Sequence, residues 1–359
     1  MSVQPEVVVT GLGLVLPCGD GLEAARASLR SGTACFGELP PNLGQGRAAV
    51  CAAFNPAGII PPMQLRRLDR PSRFAWVAAH QAFQDAGLDP KAFGGERIAV
   101  AVGTLTGGNE ASEAFMRPYV ERGPEGASPL IFPNCVANAA SGHLALAFGL
   151  KGPSATHLER EVGTFSALDQ ALRWLRSGMA DAVLLVGTDG LFPMLMEVLG
   201  RARMLDRHQD PALGSGRGMV PGEGAQAFLL ERRADAEARG ARIRARLAGV
   251  ALRPAADGSE EARAEALADA VAALVPESPD RWIGGASGLH RIDALEQRLR
   301  RSQGAWPEPV HPKLLWGELC GVGGPLLAAA LMEPAARVLV TGPASFGTQA
   351  AALLESVAV

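Results

Sequence analysis

The sequence predicts an α/β fold in which a mostly parallel sheet is covered by helices on both faces. Two continuous apolar runs, 97–103 and 182–187, are typical of strands that are buried on both sides. Stretches with helical spacing separate these strands from their neighbours, and such alternation favours parallel pairing. After a charged run at 231–246 the same order of elements begins again. We therefore expect a duplicated core.

The elements of the first half alternate in a regular order. A short strand enters a GLG turn, and because no GxGxxG follows, no nucleotide site is expected there. Pro118 should kink or end a later helix, because proline lacks the backbone donor that a helix needs. In chain order, the predicted elements are strand 6–10, helix 22–30, helix 72–86, strand 97–103, helix 109–120, helix 136–148, strand 154–158 and the helix after it, strand 182–187 and strand 225–231.

The second half repeats this alternation in a shorter form. Its opening strand follows the charged run, and its closing part contains VTGPA, which is similar to the VTGLG that follows the first strand of the chain. The predicted elements are strand 244–251, helix 260–274, strand 282–285, helix 292–301, helix 321–332 and two closing strands in ARVLVTG and AAALLES.

The stretch at 152–178 carries the candidate active site. Its first residues alternate like a strand, Gly163 follows, and apolar residues then recur at helical spacing. Enzymes often place a nucleophile at such a sharp turn, because the first N–H groups of a helix lack internal partners and favour negative charge. Here the turn carries Glu161.

Composition and charge indicate a globular protein with neither nucleic acid nor a membrane as partner. The chain has 359 residues, of which 48% are hydrophobic, and its formal charge of -3 gives no basic footprint. No apolar run approaches the roughly 18 residues of a membrane span, and the first residues do not resemble a signal peptide, so we expect a cytoplasmic protein. Five scattered cysteines show no zinc spacing, and no metal site is expected.

Seven stretches of the chain occur in the order typical of one enzyme family. They are VVVTGLGLVLPCG, DRPSRFAWVAAHQAFQDAGLD, VGTLTGG, GLKGPSATHLEREVG, GMADAVLLVG, PGEGAQAFLLE and ASFGTQAAALLE. The chain therefore resembles a β-ketoacyl synthase of the thiolase superfamily. This resemblance implies a thiolase-like fold, in which two pseudo-repeated halves stack as αβαβα layers, here an N-terminal half at 1–240 and a C-terminal half at 241–359.

Active ketosynthases of this family use one cysteine and two histidines, and the chain has none of the three at the matching position. The cysteine lies nine residues after the glycine of the GP pair, which here gives Glu161. The first histidine opens an HGTxT motif, and WIGGASGLHRIDALE has Ala286 at that place. The second follows a lysine in a KxxxGH pattern, and KLLWGEL keeps Lys313 but has Glu318. A carboxylate cannot form the acyl thioester, so the usual condensation is excluded at Glu161.

Within the superfamily, this loss resembles the chain length factor, the β-subunit of type II polyketide synthases. Such a subunit pairs with an active ketosynthase α-subunit and shapes the tunnel for a chain that an acyl carrier protein carries, without a cofactor of its own. Most of these subunits have Gln at the cysteine position, so Glu161 is a departure. The resemblance implies a heterodimeric pseudoenzyme that sets the length of a polyketide or polyene chain.

Three groups of residues are expected to serve that role. In chain length factors the residues that cap the tunnel lie on the helix after a GG pair, which here gives Asn109, Ser112 and Met116 on one helical face, with Met116 as the expected stop. Phe346 matches the phenylalanine of a gating loop, although without a nucleophile to guard we expect it to serve core packing. The strand that pairs across the dimer two-fold corresponds to Ser154, Ala155, Thr156, His157 and Leu158.

Two other functions stay open on the sequence. An independent thiolase-fold enzyme, a decarboxylase or acyltransferase, would use Cys135 as nucleophile, Glu161 as base or His290 as a displaced imidazole. Cys135 has no base at a recognisable spacing, and His290 is better interpreted as a surface histidine at a helix start. The second is a homodimeric binder of acyl chains. For Glu161 itself, we consider an ion pair with Lys313 at a helix N-terminus and a structural plug in a vacated pocket.

Overall fold

The computed structural model describes residues 4–206, 218–275, 277–319, 323–332 and 336–357. The strands are β1 (Val7–Leu16), β2 (Gly19–Asp20), β3 (Gly37–Glu38), β4 (Arg47–Ala48), β5 (Ile98–Gly103), β6 (Ser154–His157), β7 (Ala182–Asp189), β8 (Gly224–Arg232), β9 (Ala245–Pro254), β10 (Arg281–Ile283), β11 (Arg337–Gly342) and β12 (Thr348–Glu355). The helices are α1 (Leu22–Ser31), α2 (Pro62–Leu65), α3 (Arg70–Asp85), α4 (Pro90–Phe93), α5 (Asn109–Arg122), α6 (Ala139–Phe148), α7 (Gly163–Arg176), α8 (Pro193–Arg201), α9 (Arg233–Ala238), α10 (Glu260–Ala272), α11 (His290–Ser302), α12 (Lys313–Trp316) and α13 (Gly324–Met332). None of the helices in these ranges is long and apolar enough to cross a membrane.

The strands of the described residues form a ten-stranded mixed sheet and a separate pair, β3 and β4. The order of the large sheet is β10-β11-β12-β9-β1-β8-β7-β5-β6, and β2 is attached to β1. β5 pairs parallel with β6 and β7, and β10 pairs parallel with β11, whereas the other neighbours in this order run antiparallel. The prediction of a mostly parallel sheet is therefore wrong, because the first and last strands of each half run in opposite directions.

The two halves of the sheet repeat one pairing order. From the centre outward, β1-β8-β7-β5-β6 pairs antiparallel twice and then parallel twice. β9-β12-β11-β10 repeats the first three steps, and Val310 makes a parallel bridge to Ile283 at the place that β6 holds in the first half. β1 joins the halves, because its residues 7–9 pair antiparallel with β9. The duplicated core is thus confirmed in the topology, whereas the boundary at residue 240 stays a prediction.

Helices form three layers around the two half-sheets. α3 and α6 cover the outer face of the first half-sheet, and α10 and α11 cover that of the second. α7 and α13 lie between the half-sheets, where Phe165, Leu168 and Leu327 pack in one core with strands of both. In β7, the side chain of Leu184 packs in the core under α3 and α6, and that of Leu185 packs in the core around α7 and α13. Such alternation is expected of a strand that is buried on both faces. This is the predicted αβαβα arrangement of a thiolase-like fold.

Two local expectations differ from the structure. β1 does not stop before the GLG sequence but runs through it to Leu16. The glycines there let α3 approach the strand, since a β-carbon on Gly11 would lie 2.1 Å from the carbonyl oxygen of Ala82. α5 continues past Pro118 to Arg122, so of the two expected outcomes the end of the helix is wrong and the kink stays a prediction.

Candidate functional site

The turn at Glu161 is as sharp as the sequence predicts. β6 leads into a short 3-10 turn, Arg160–Val162, and α7 follows directly. α7 starts close against β5, where a β-carbon on Gly103 would lie 2.4 Å from the amide nitrogen of Thr164. Arg160 has a φ of 52°, a left-handed conformation that strains a residue with a side chain. Glu161 is buried in this turn, with 8% of its surface exposed.

The Glu161 carboxylate has only one hydrogen-bond donor among the described residues. The hydroxyl of Ser345 donates to Oε1 at 2.8 Å. Oε2 is buried and has no partner within the described ranges. A buried carboxylate oxygen without a donor costs free energy, so this atom is an unfilled acceptor in the turn before α7.

Glu318 and Lys313 form a buried ion pair. Lys313 Nζ donates to Glu318 Oε2 at 2.8 Å, and each side chain is only 2% exposed. Burial raises the pKa of Glu318, and Lys313 opposes that rise. The charge of Glu161 also raises the pKa of Glu318, which indicates that the two carboxyl groups lie near each other. The prediction of an ion pair between Glu161 and Lys313 is wrong. Lys313 pairs with Glu318 instead, and Glu161 accepts a hydrogen bond from Ser345.

Ala286 lies in a buried loop after β10. Glu296 accepts hydrogen bonds from the amides of Gly285 and Ala286 at 2.6 and 3.0 Å, and Asp293 accepts from the amide of Ser287 at 3.0 Å. The loop is therefore fixed by two carboxylates of α11. The methyl group of Ala286 offers no acid or base for catalysis.

The two histidines closest to this loop in sequence, His290 and His311, do not take the place of the two histidines that the motif comparison predicts to be lost at positions 286 and 318. His290 begins α11 and is exposed, which confirms the surface interpretation. His311, which the sequence reasoning missed, is buried with Nδ1 3.4 Å from Glu296 Oε2. Neither histidine lines the cavity described next. No local pattern marks His311, because its partner is distant in the chain.

One cavity of about 520 Å³ brings most of the predicted site residues together. The predicted residues that line it are Asn109, Ser112, Met116, Glu161, Glu318 and Phe346. The apolar residues that complete its walls are Leu105, Phe192, Met194, Leu195, Val198, Leu199, Met204 and Met219. Ala286 and Lys313 are not among the lining residues. The cavity is thus a largely apolar space whose lining includes the buried carboxylates of Glu113, Glu161 and Glu318.

Asp189, which the sequence did not single out, positions the helix that carries the tunnel residues. It lies at the end of β7 and accepts from the amide and the hydroxyl of Thr106, each at 2.8 Å, and from the hydroxyl of Thr104 at 2.8 Å. Burial raises the pKa of Asp189 to about 6, and these hydrogen bonds oppose the rise. The loop that they hold leads directly into α5.

Phe346 lies at the mouth of the cavity. Its ring is 49% exposed, so the expectation that it serves core packing is wrong. The guanidinium carbons of Arg160 and Arg291 lie 4.8 and 5.3 Å from the centre of the ring, at distances that allow cation–π attraction. Because Arg160 adjoins Glu161 in the chain, the ring and the strained turn are in contact.

Cys135 does not take part in the site. It is not among the cavity-lining residues, and its backbone carbonyl accepts from Ser112 Oγ at 3.3 Å. Burial raises the pKa of the Cys135 thiol, which disfavours the thiolate that a nucleophile requires. Within the described ranges, no three histidine, cysteine, aspartate or glutamate side chains converge in a way that could hold a metal ion.

The predicted dimer strand is an edge of the sheet. β6 pairs with β5 along one edge, and no strand of the described residues pairs with its other edge. Leu158, the residue after β6, is exposed, and so is Leu146 on α6, a helix joined to β6 by the hydrogen bond from Thr156 Oγ1 to Ser141 Oγ. An open edge beside exposed apolar side chains is a surface on which a second chain can pair.

Sequence comparisons identify a family. Residues 4–236 match the family described as Beta-ketoacyl synthase, N-terminal domain. The 3-oxoacyl-[acyl-carrier-protein] synthase 2 of Synechocystis sp. is 30% identical over 351 residues, which cover 91% of this chain and 84% of that protein. The protein of the same name from Staphylococcus aureus is 30% identical over 261 residues, 69% of this chain and 63% of that protein.

Solved structures share the fold. The ishigamide ketosynthase/chain length factor aligns with a TM-score of 0.88 at 23% identity, covering 99% of this chain and 100% of that one. A β-ketoacyl synthase from Burkholderia phymatum aligns with a TM-score of 0.88 at 20% identity, covering 99% and 100%. A type II PKS acyl-carrier protein in complex with its ketosynthase gives a TM-score of 0.79 at 19% identity, covering 98% and 100%.

Proposed function

Because the chain belongs to the β-ketoacyl synthase family, we propose that it is a non-catalytic subunit of the chain length factor type. In this role it pairs with an active ketosynthase and sets the length of the chain that the pair makes. The proposal rests on the motif register, which assigns Glu161, Ala286 and Glu318 to the three positions of the family's reacting groups. None of these side chains can form an acyl thioester or act as an imidazole base.

The geometry of the cavity supports a role in measuring a chain. Asn109, Ser112 and Met116 line it from α5, and the loop before this helix is fixed by Asp189. The remaining walls are largely apolar, as an alkyl or polyene chain requires. A bulky side chain on this face of α5 would therefore shorten the space available to the chain.

The partners follow from the surface and from the relatives. The open edge of β6 and the exposed side chains of Leu146 and Leu158 fit a heterodimer with an active ketosynthase α-subunit. One structural relative is a ketosynthase in complex with its acyl-carrier protein, so we include a chain-bearing carrier among the partners. The proposal needs neither nucleic acid nor a membrane.

The test is to express the chain with and without a type II ketosynthase that keeps its cysteine. We expect an equimolar complex that makes polyketide or polyene chains, and no turnover of malonyl-carrier thioester by the chain alone. The Glu161→Cys variant should also be inactive alone, because neither residue 286 nor residue 318 supplies an imidazole.

The opposite result favours an independent condensing or decarboxylating enzyme. The sequence relatives are named as 3-oxoacyl synthases, so this second function has a specific basis. Turnover by the purified chain without a partner, lost in the Glu161→Gln variant, would establish it in place of our proposal.

A further inference from the structure

Two buried carboxylate oxygens of the cavity-lining residues have no hydrogen-bond donor within the described ranges. Glu161 Oε2 and Glu318 Oε1 are both buried and without a hydrogen-bond partner within the described ranges. The hydroxyl of Ser287 lies near enough to Glu318 to lower its pKa, yet Oγ of Ser287 is itself buried without a hydrogen-bond partner there. Both glutamates line the cavity, and both are more than nine-tenths buried. Unfilled acceptors in a buried space are costly unless a ligand satisfies them.

Glu161 is the acid in the lining that no cation contacts within the described ranges. Lys313 pairs with Glu318, and Glu113, a third acid in the lining, accepts from Arg117 at 2.6 Å and from the amide of Met194 at 2.9 Å. Arg160 also lines the cavity, but its guanidinium lies over the ring of Phe346. Glu161 has a hydroxyl donor and no cationic partner within the described ranges.

We propose that the cavity takes an apolar chain whose inner end is a primary ammonium group, held by Glu161 Oε2 and Glu318 Oε1. An ammonium group supplies three donors and one positive charge, which match two free acceptors and one carboxylate that no cation contacts. The apolar walls formed by Leu195, Val198 and Leu199 accommodate the hydrocarbon. A carboxylate or phosphate end would be repelled, and a hydroxyl end would supply one donor and no charge.

This inference rests on the proposed function in one respect: it assumes that the bound chain is the growing polyketide or polyene chain. In that setting the substrate class would be chains that start from an amine-bearing unit. The binding itself is a property of this chain alone and needs no partner. Failure to bind amines therefore leaves the proposed function standing, and loss of the chain-length effect leaves the amine site standing.

The experiment uses the purified full chain and three probes of equal length: octylamine, octanoate and 1-octanol. Titration calorimetry at a pH where the carboxylates are ionised should show that octylamine binds at least about tenfold more tightly than 1-octanol. Octanoate should show no detectable binding. Glu161→Gln and Glu318→Gln should each weaken octylamine at least about tenfold and leave 1-octanol unchanged.

Glu197→Gln is the matched control, because it removes the same charge from α8, which contributes to the cavity wall. Glu197 is exposed and pairs with Arg201, so octylamine affinity should not change in this variant. Octanoate binding as tightly as octylamine, or an equal loss in Glu161→Gln and Glu197→Gln, would overturn the proposal. The comparison of the three probes on the unaltered chain decides the question even if a cavity variant fails to fold.

Discussion

Replacing Lys313 by Met tests whether the buried ion pair stabilises the vacated site. The variant keeps an unbranched apolar stem of similar length and removes only the cation that lies 2.8 Å from Glu318 Oε2. Because both side chains are 2% exposed, bulk water solvates the remaining carboxylate only poorly. Removing one partner of such a pair typically costs about 3–5 kcal/mol.

The cost should depend on pH in a definite direction. Burial already raises the pKa of Glu318 in the folded protein above its ordinary value of 4.5, and loss of Lys313 raises it further. The unfolded chain releases this proton near the ordinary value, so the variant loses stability as the pH rises from there through the folded-state pKa. We expect a loss of about 3–5 kcal/mol near pH 8 and of only about 1 kcal/mol near pH 5.

The measurement is the free energy of unfolding in urea, compared with the unaltered chain at each pH. Lys151→Met is the control, because Lys151 pairs with Glu96 on the surface, where the side chains are 69% and 68% exposed, and such pairs contribute about 0–1 kcal/mol. The double variant Lys313→Met with Glu318→Leu should recover most of the loss. A Lys313→Met cost that is equal at both pH values, or no larger than that of the control, would refute the reasoning.

Two further predictions concern Glu110 and the tunnel residue Ser112. Burial, with the charge of Asp69, raises the pKa of Glu110 to about 7 from 4.5, so the unaltered protein should lose stability as the pH rises between these values. Glu110→Gln should remove that dependence and be up to about 3 kcal/mol more stable above pH 7 in urea unfolding; parallel pH profiles would contradict this. Ser112→Phe should shorten the products of the complex with an active ketosynthase, whereas Glu121→Phe, on the same helix but outside the cavity lining, should not. Unchanged lengths in product mass spectra would discredit the tunnel assignment.

The positions of most long elements could be predicted from the sequence, because apolar runs and helical spacing are local signals, but α8, which contributes to the cavity wall, was not predicted. The strand direction could not. The pairing of β1 with β8 joins segments that lie far apart in the chain, and nothing in either segment records the direction of its partner. Regular alternation of strands and helices therefore led to a parallel prediction that the structure corrects.

The residues of the site could be predicted where a motif fixed their place. The register of the GP, GG and KxxxGH patterns located Glu161, Asn109 and Glu318, and these line one cavity. Their partners were not predictable, because the Ser345 donor of Glu161 is 184 residues away. Core packing was predicted for Phe346 because the site has no nucleophile to guard. This prediction failed because a sequence does not show which side of a loop faces solvent.

The pairing of β1 with both half-sheets has a consequence for folding. Its residues 7–9 bond to β8 on one side and to β9 on the other, so one strand belongs to two structural repeats. Loss of this strand would expose an edge in each repeat at once, and neither repeat could melt while the other stayed intact. Amide hydrogen exchange should accordingly report one set of slowest protons that spans both repeats, and a cut near residue 240 should not release two independently folding fragments.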